Sequence, residues 1–145
     1  HADTLIVSVL ATALFAQNVA IAAESKGYGI CYIGGIRNDI RGVSKLFELP
    51  DFVVPLFAMT IGVPVSHNEV KPRLPLEAVL HENAYDETKY EELLETYDDI
   101  TNTYYKQRSS NRKDATWSND MSRFFRKPRR DHMKKFLEEK GFFLK

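Results

Sequence analysis

Between Thr4 and Lys26 apolar residues occupy nearly every side of a helical wheel, and Gly27 and Gly29 follow where such a helix would stop. A segment apolar all round predicts a helix buried among neighbours. It is about as long as a membrane span, but Ala and Val dominate it and Gln17 and Asn18 lie in its middle, so a buried helix of a globular domain is expected. Ile30, Cys31, Tyr32 and Ile33 then form a short continuous apolar run bounded by glycines, the pattern of a central strand covered on both faces. After Gly34-Gly35, Asn38 is placed to cap a helix through Ile40, Val43, Leu46 and Phe47 that must end before Pro50. Pro55, Gly62 and Pro64 confine any strand in the next apolar stretch to Leu56 through Ile61, or place it at a sheet edge.

The second half changes character. From Asp86 to Lys106 a helical period runs through Tyr90, Leu93, Leu94, Tyr97, Ile100 and Tyr104, with acidic and polar residues between, which predicts a long surface helix. Gln107 to Thr116 is polar and basic without apolar spacing and reads as a mobile loop. A helix is expected around Trp117 to Phe125, and a last one opened by Pro128 and ended at Gly141. No internal repeat is visible, and the length fits one domain over residues 1–145.

Composition adds little until charge is read by position. The formal charge sums to zero, yet Glu77 to Thr103 holds nine acids and one base, whereas Tyr104 to Lys145 holds thirteen bases and five acids. A basic tail invites an anion, although no DNA- or RNA-binding motif accompanies it, so no specific nucleic-acid partner is expected. The lone cysteine, Cys31, excludes an internal disulfide and Cys-rich zinc sites, and favours the cytoplasm. Inside a covered strand it would be an inert core thiol. No Lys or Arg precedes the apolar run and Asp3 stands where a secretory signal wants positive charge, so neither a signal nor a membrane segment is expected.

Three groups of residues are candidates for chemistry. Paired glycines after a strand, Gly34 and Gly35, let a flat ring approach bare backbone; a tight strand-to-helix turn is the plainer account. Lys71 and Arg73 flank Pro72, whose fixed φ favours an extended chain with both cations on one side, an arrangement suited to phosphate; solvated surface charge is the alternative. Arg108, Arg112 and Lys113 in the loop, with Arg129 and Arg130 after Pro128, are able to converge on an anionic ligand such as a nucleotide 2′-phosphate, or merely solubilise. His67, His81 and His132 are scattered, and neither His-Glu-x-x-His nor Gly-x-Ser-x-Gly occurs, so no metal site or hydrolase triad is expected.

Taken together, Ala16-Gln17-Asn18, Ala22-Ala23-Glu24-Ser25, Tyr32-Ile33-Gly34-Gly35-Ile36-Arg37-Asn38, Lys71-Pro72-Arg73-Leu74-Pro75, His81-Glu82-Asn83 and Thr116-Trp117-Ser118 resemble the flavin reductase and NADPH-nitroreductase branch of the nitroreductase family. The resemblance implies an α+β fold with a central mixed sheet flanked by helices, and a homodimer with FMN at its interface. It also implies alternating reduction by NADPH and oxidation by nitroaromatics, quinones or free flavin. Carried over by position, Ile33, Gly34 and Gly35 lie at the isoalloxazine edge, and Lys71 and Arg73 hold the FMN phosphate. Arg108 matches a loop arginine for NADPH and acceptor, with Arg112 and Lys113 as rival matches, and Arg130 matches a further phosphate-side arginine. No side chain is assigned as a catalytic acid or base, because the flavin carries the electron chemistry. Family members begin with a His-Arg-Ser-x-Arg segment that has no counterpart before His1, and usually carry Asp near Leu10. The chain is therefore expected to be the larger, carboxy-terminal part of such a protein, with weakened FMN binding. A catalytically silent structural or dimerisation module is the alternative.

Overall fold

Residues 2–142 are described by a computed structural model. The elements in chain order are α1 (Ala2–Glu24), β1 (Gly29–Ile33), a 3-10 turn (Gly34–Asp39), α2 (Ile40–Leu46), β2 (Ala58–Gly62), a short 3-10 turn (Leu76–Ala78), α3 (Tyr90–Gln107), α4 (Trp117–Phe125) and α5 (His132–Glu139). They fall into two compact units, residues 1–66 with 129–145, and residues 67–128.

In the first unit α1 ends as its glycine predicts. Gly27 adopts φ +80°, and the amide of Tyr28 closes back on the Ala23 carbonyl at 3.1 Å, a left-handed stop that a Cβ would disfavour. The expected burial of this helix does not hold. Only Ala16 and Ala20, four residues apart on one stripe, are buried, while Leu14 and Phe15 are 68% and 70% exposed. An all-round apolar helix asks for cover on every side, and the described residues supply it on one. The helix is long and apolar enough to cross a membrane by length and composition.

β1 is likewise not the covered central strand of the sequence pattern. Among the described residues the sheet is an antiparallel pair, with Gly29 opposite Gly62 and Ile33 opposite Ala58, in place of a larger mixed sheet. β2 begins two residues later than expected. Cys31 and Tyr32 are exposed, so Cys31 is a surface thiol. The α2 cap also moves by one residue: Asp39, not Asn38, accepts the Gly42 amide at 3.0 Å. α2 then buries Ile40, only 1% exposed, against the side of the unit that carries α5, worth about 1.5–3 kcal/mol of transfer free energy. α5 starts four residues after Pro128, at His132, and Gly141 stops it at φ +84°. There a Cβ would lie 2.7 Å from the Phe52 ring. The Lys140 ammonium and carbonyl hold the same corner, through the Leu49 carbonyl at 2.5 Å and the Phe52 amide at 2.9 Å.

In the second unit α3 starts at Tyr90 instead of Asp86, because Asp86 is occupied as a turn acceptor for the Thr88 amide and hydroxyl at 3.0 and 2.7 Å. Those bonds from Thr88 hold the Asp86 carboxyl below its usual range. The buried stripe of α3 is Tyr97, Thr101 and Tyr105, an i, i+4, i+8 row; the apolar period included Tyr97 but then ran to Ile100 and Tyr104. Thr101 is fully buried because its hydroxyl is satisfied. It donates to the Asp98 carbonyl at 3.1 Å and accepts the Trp117 amide at 3.3 Å. α4 occupies the expected residues, and Thr116 caps it by accepting the Asn119 amide at 3.3 Å.

Candidate functional site

The glycine pair lies where β1 runs out, in the 3-10 turn of the first unit. A Cβ built on Gly35 would meet nothing closer than the Asn38 amide nitrogen at 4.0 Å, so this backbone is bare and open to approach by a flat group. On Gly34 a Cβ would press the Arg37 guanidinium at 3.2 Å. Residues far along the chain hold this turn. Arg130 donates from Nε to Asn38 Oδ1 at 3.0 Å and from Nη2 to the Gly34 carbonyl at 3.4 Å. His132 donates from Nε2 to the Arg37 carbonyl at 2.9 Å, and Arg37 donates to the Leu56 carbonyl. Arg130 sits at φ +58°, a left-handed conformation that a side chain adopts at some cost. The structure thus brings Arg130 together with Gly34, and the sequence left Asn38's part in that contact unread.

Three cations of the second unit, Lys71, Arg108 and Lys113, gather about one aromatic ring. Lys71 and Arg73 are exposed while Pro72 and Leu74 are half-buried, the alternation of an extended segment that presents both cations outward. Lys71 Nζ lies 5.6 Å from the Tyr105 centroid, Lys113 Nζ 4.1 Å from it, and Arg108 6.0 Å, with Tyr104 5.6 Å from Arg108. Cations over ring faces gain electrostatic attraction without losing their outer hydrogen-bonding positions. Asp120 balances the cluster through a 2.5 Å pair with Lys113, and that hydrogen bond, ahead of the charges of Lys113, Arg123 and Lys71, holds its carboxyl below the usual range. Arg112 is turned back on its own loop, donating to the Arg108 carbonyl at 2.6 Å. Of the rivals to Arg108, Lys113 is therefore the one that shares a ring with Lys71. Arg73 makes no hydrogen bond or ion pair among the described residues, which leaves its guanidinium available to an anion. Tyr105 was the missed residue; its one sequence signal is a place four residues beyond Thr101 and eight beyond Tyr97.

The loop of residues 108–116 has no regular structure, but it is tied down. The Ser109 amide donates to Glu69 Oε1 at 3.0 Å and Asn102 donates to Asp114 at 2.7 Å. His81 organises the entry to α3: it accepts the Asp86 amide at Nδ1, 3.1 Å, meets the Tyr90 hydroxyl at Nε2, 3.0 Å, and stacks on Tyr85 at 4.7 Å. Among the described residues no group of three or more His, Cys, Asp or Glu side chains is arranged to hold a metal ion.

In the first unit bare glycine backbone stands at a strand end, and in the second, taken by itself, exposed cations stand on an extended segment. The backbone at Gly35 leaves room for a flat group, and Lys71 and Arg73 present charge-assisted donors suited to an anion. Comparison with known proteins gives the class. Residues 71–145 match the model of the nitroreductase family, C-terminal domain, and residues 1–63 match that of the nitroreductase family. The chain belongs to the nitroreductase family. The second match includes α1, which is thereby part of the family domain.

Among its relatives, a Cr(VI) reductase of Pseudomonas sp. (strain G-1) is 57% identical over 97% of this chain and 58% of that protein. An FMN reductase (NADPH) of Bacillus subtilis is 40% identical over 98% of this chain and 58% of its own length. The solved structure of a nitroreductase from B. subtilis superposes with a TM-score of 0.90 at 40% identity, covering 96% of this chain and 57% of that one. The α+β, nitroreductase-like fold is thus established. The chain spans about 58% of the length of the curated relatives it matches.

Proposed function

We propose that this chain is part of an FMN-dependent NADPH oxidoreductase that passes electrons from NADPH to nitroaromatics, quinones or free flavin. The observation that carries the reading is the Lys71-Pro72-Arg73 segment, with both cations exposed and Arg73 unengaged among the described residues. It gains support from a relative named an FMN reductase (NADPH). When bound, FMN supplies the capacity to accept a hydride from NADPH and to release electrons to the acceptor.

The chain's own residues bind and orient. Lys71 and Arg73 hold the phosphate, each charge-assisted bond worth about 1.5–3 kcal/mol. The backbone of Ile33, Gly34 and Gly35 lies along the ring edge, where amide donors stabilise negative charge. Arg130 acts on the same turn through Gly34 and Asn38. Arg108 and Arg112, on the loop after α3, contact NADPH and the acceptor. The exposed apolar surface of α1, Leu14 and Phe15 included, supports a homodimer, since a symmetric contact covers the same patch on both copies. An exposed Cys31 in a chain with one cysteine is in keeping with a reducing cytoplasm.

The test is flavin retention. The purified protein should take up added FMN; Lys71→Ala combined with Arg73→Ala should weaken its retention on dialysis, and Arg108→Ala should mainly raise the NADPH requirement. A double variant that keeps its FMN would refute the phosphate assignment.

A further inference from the structure

The Lys71-Pro72-Arg73 segment belongs to no helix or strand, so something other than a backbone ladder must fix where its cations point. Tyr97 does this in the structure. It is 4% exposed, and its hydroxyl donates to the Pro72 carbonyl at 3.0 Å. That carbonyl belongs to the peptide joining Pro72 to Arg73, and Pro72 has no amide of its own with which to anchor the segment. A buried phenol requires a hydrogen-bond partner, and here the partner is the backbone between the two cations.

The seat of Tyr97 is itself fixed. Trp117 packs edge-on against its ring, centroids 5.9 Å apart, and is held there by the hydrogen bond its backbone amide donates to Thr101 Oγ1 at 3.3 Å, while the Ser118 amide donates to Asp98 Oδ1 at 2.8 Å. Two turns further along the same buried stripe, Tyr105 underlies the Lys71 ammonium. One rigid helix face thus touches the segment at two points. The Thr116-Trp117-Ser118 motif, which nothing in the ligand chemistry explains, gains a purpose as the support behind Tyr97.

We propose that Tyr97 is a positioning residue for phosphate recognition, its hydroxyl holding the Pro72 carbonyl so that Lys71 and Arg73 are set in advance to receive the phosphate. This rests on the reading that those two cations bind the FMN phosphate. Tyr97→Phe removes one oxygen and keeps the ring against Trp117, so it separates positioning from packing.

The experiment measures dissociation constants for FMN and for riboflavin, which lacks the phosphate, by quenching of flavin fluorescence. The proteins compared are the wild type, Tyr97→Phe, Lys71→Gln and the double variant. Tyr97→Phe should lower the preference for FMN over riboflavin roughly three- to tenfold, the worth of one hydrogen bond, with riboflavin binding unchanged. In the double variant the two losses should combine to less than their product, because both act on one contact. Should Tyr97→Phe not fold, Trp117→Phe, which loosens the seat and keeps the hydroxyl, should give a smaller loss of the same preference. A Tyr97→Phe protein that weakens both flavins alike, or neither, while Lys71→Gln still lowers the preference, overturns the proposal and leaves the phosphate reading standing. A Lys71→Gln protein with undiminished preference, or a wild type that binds neither flavin, overturns that reading and the proposal with it.

Discussion

Thr101→Val changes one buried hydroxyl into a methyl of nearly the same volume. Thr101 is fully buried, and its oxygen receives the amide of Trp117, the first residue of α4. That amide is one of the four at a helix start with no partner inside the helix. Valine leaves it half-buried and unpaired, and the cost of such an orphaned donor is about 1–3 kcal/mol. The Asp98 carbonyl loses a second bond and contributes less. For a chain of this length a loss near 2 kcal/mol corresponds to a fall in Tm of roughly 4–8 °C. Trp117 is the only tryptophan in the sequence, so its fluorescence in a urea titration reports on this spot directly. Thr101→Ser keeps the hydroxyl and removes a methyl, and should cost about 1 kcal/mol. If valine proves as stable as threonine, or serine is the worse of the two, the hydroxyl is not what seats α4 and the reasoning fails.

Other substitutions probe the remaining anchors. Ile40→Ala empties the tightest apolar site of the first unit and should destabilise it by about 2–5 kcal/mol, read as a lowered urea midpoint. Gly141→Ala places a Cβ at φ +84° and against Phe52; calorimetry should show a loss of about 1–2 kcal/mol from the backbone conformation alone. The Asp120 carboxyl, held below its ordinary value chiefly by the Lys113 hydrogen bond, stabilises the fold fully above the unfolded-state pKa near 4, and that contribution fades as pH falls through the lower folded value. Urea midpoints measured from pH 6 down to pH 2 should therefore decline less steeply for Asp120→Asn than for the wild type, and parallel declines would contradict the pairing.

Much of the local structure was legible because it is decided by near neighbours. The helical character of α3, the extent of α4, the stops at Gly27 and Gly141 and the strand before Gly34 each depend on a few consecutive residues. Boundaries slipped where a side chain had a competing partner: Asp86 served Thr88 and delayed α3, and Asp39 took the cap expected of Asn38. Asn38 was engaged instead by Arg130, 92 residues away. The candidate site was legible as residue types at the Gly34-Gly35 and Lys71-Pro72-Arg73 motifs. Its supports were not, since Tyr97, Tyr105 and Thr101 look in sequence like ordinary members of an amphipathic helix.

The sequence by itself therefore determined the order and kind of elements, the glycine turn, the outward cations and the family to which they belong. Tertiary structure alone decided which faces those elements bury. α1 is apolar on every side, and nothing in its own residues says that only Ala16 and Ala20 are covered. α3 offers several stripes to its neighbours, and packing against α4 selected the one through Thr101. Periodicity is a property of the local chain; burial is a property of whatever the rest of the chain places beside it.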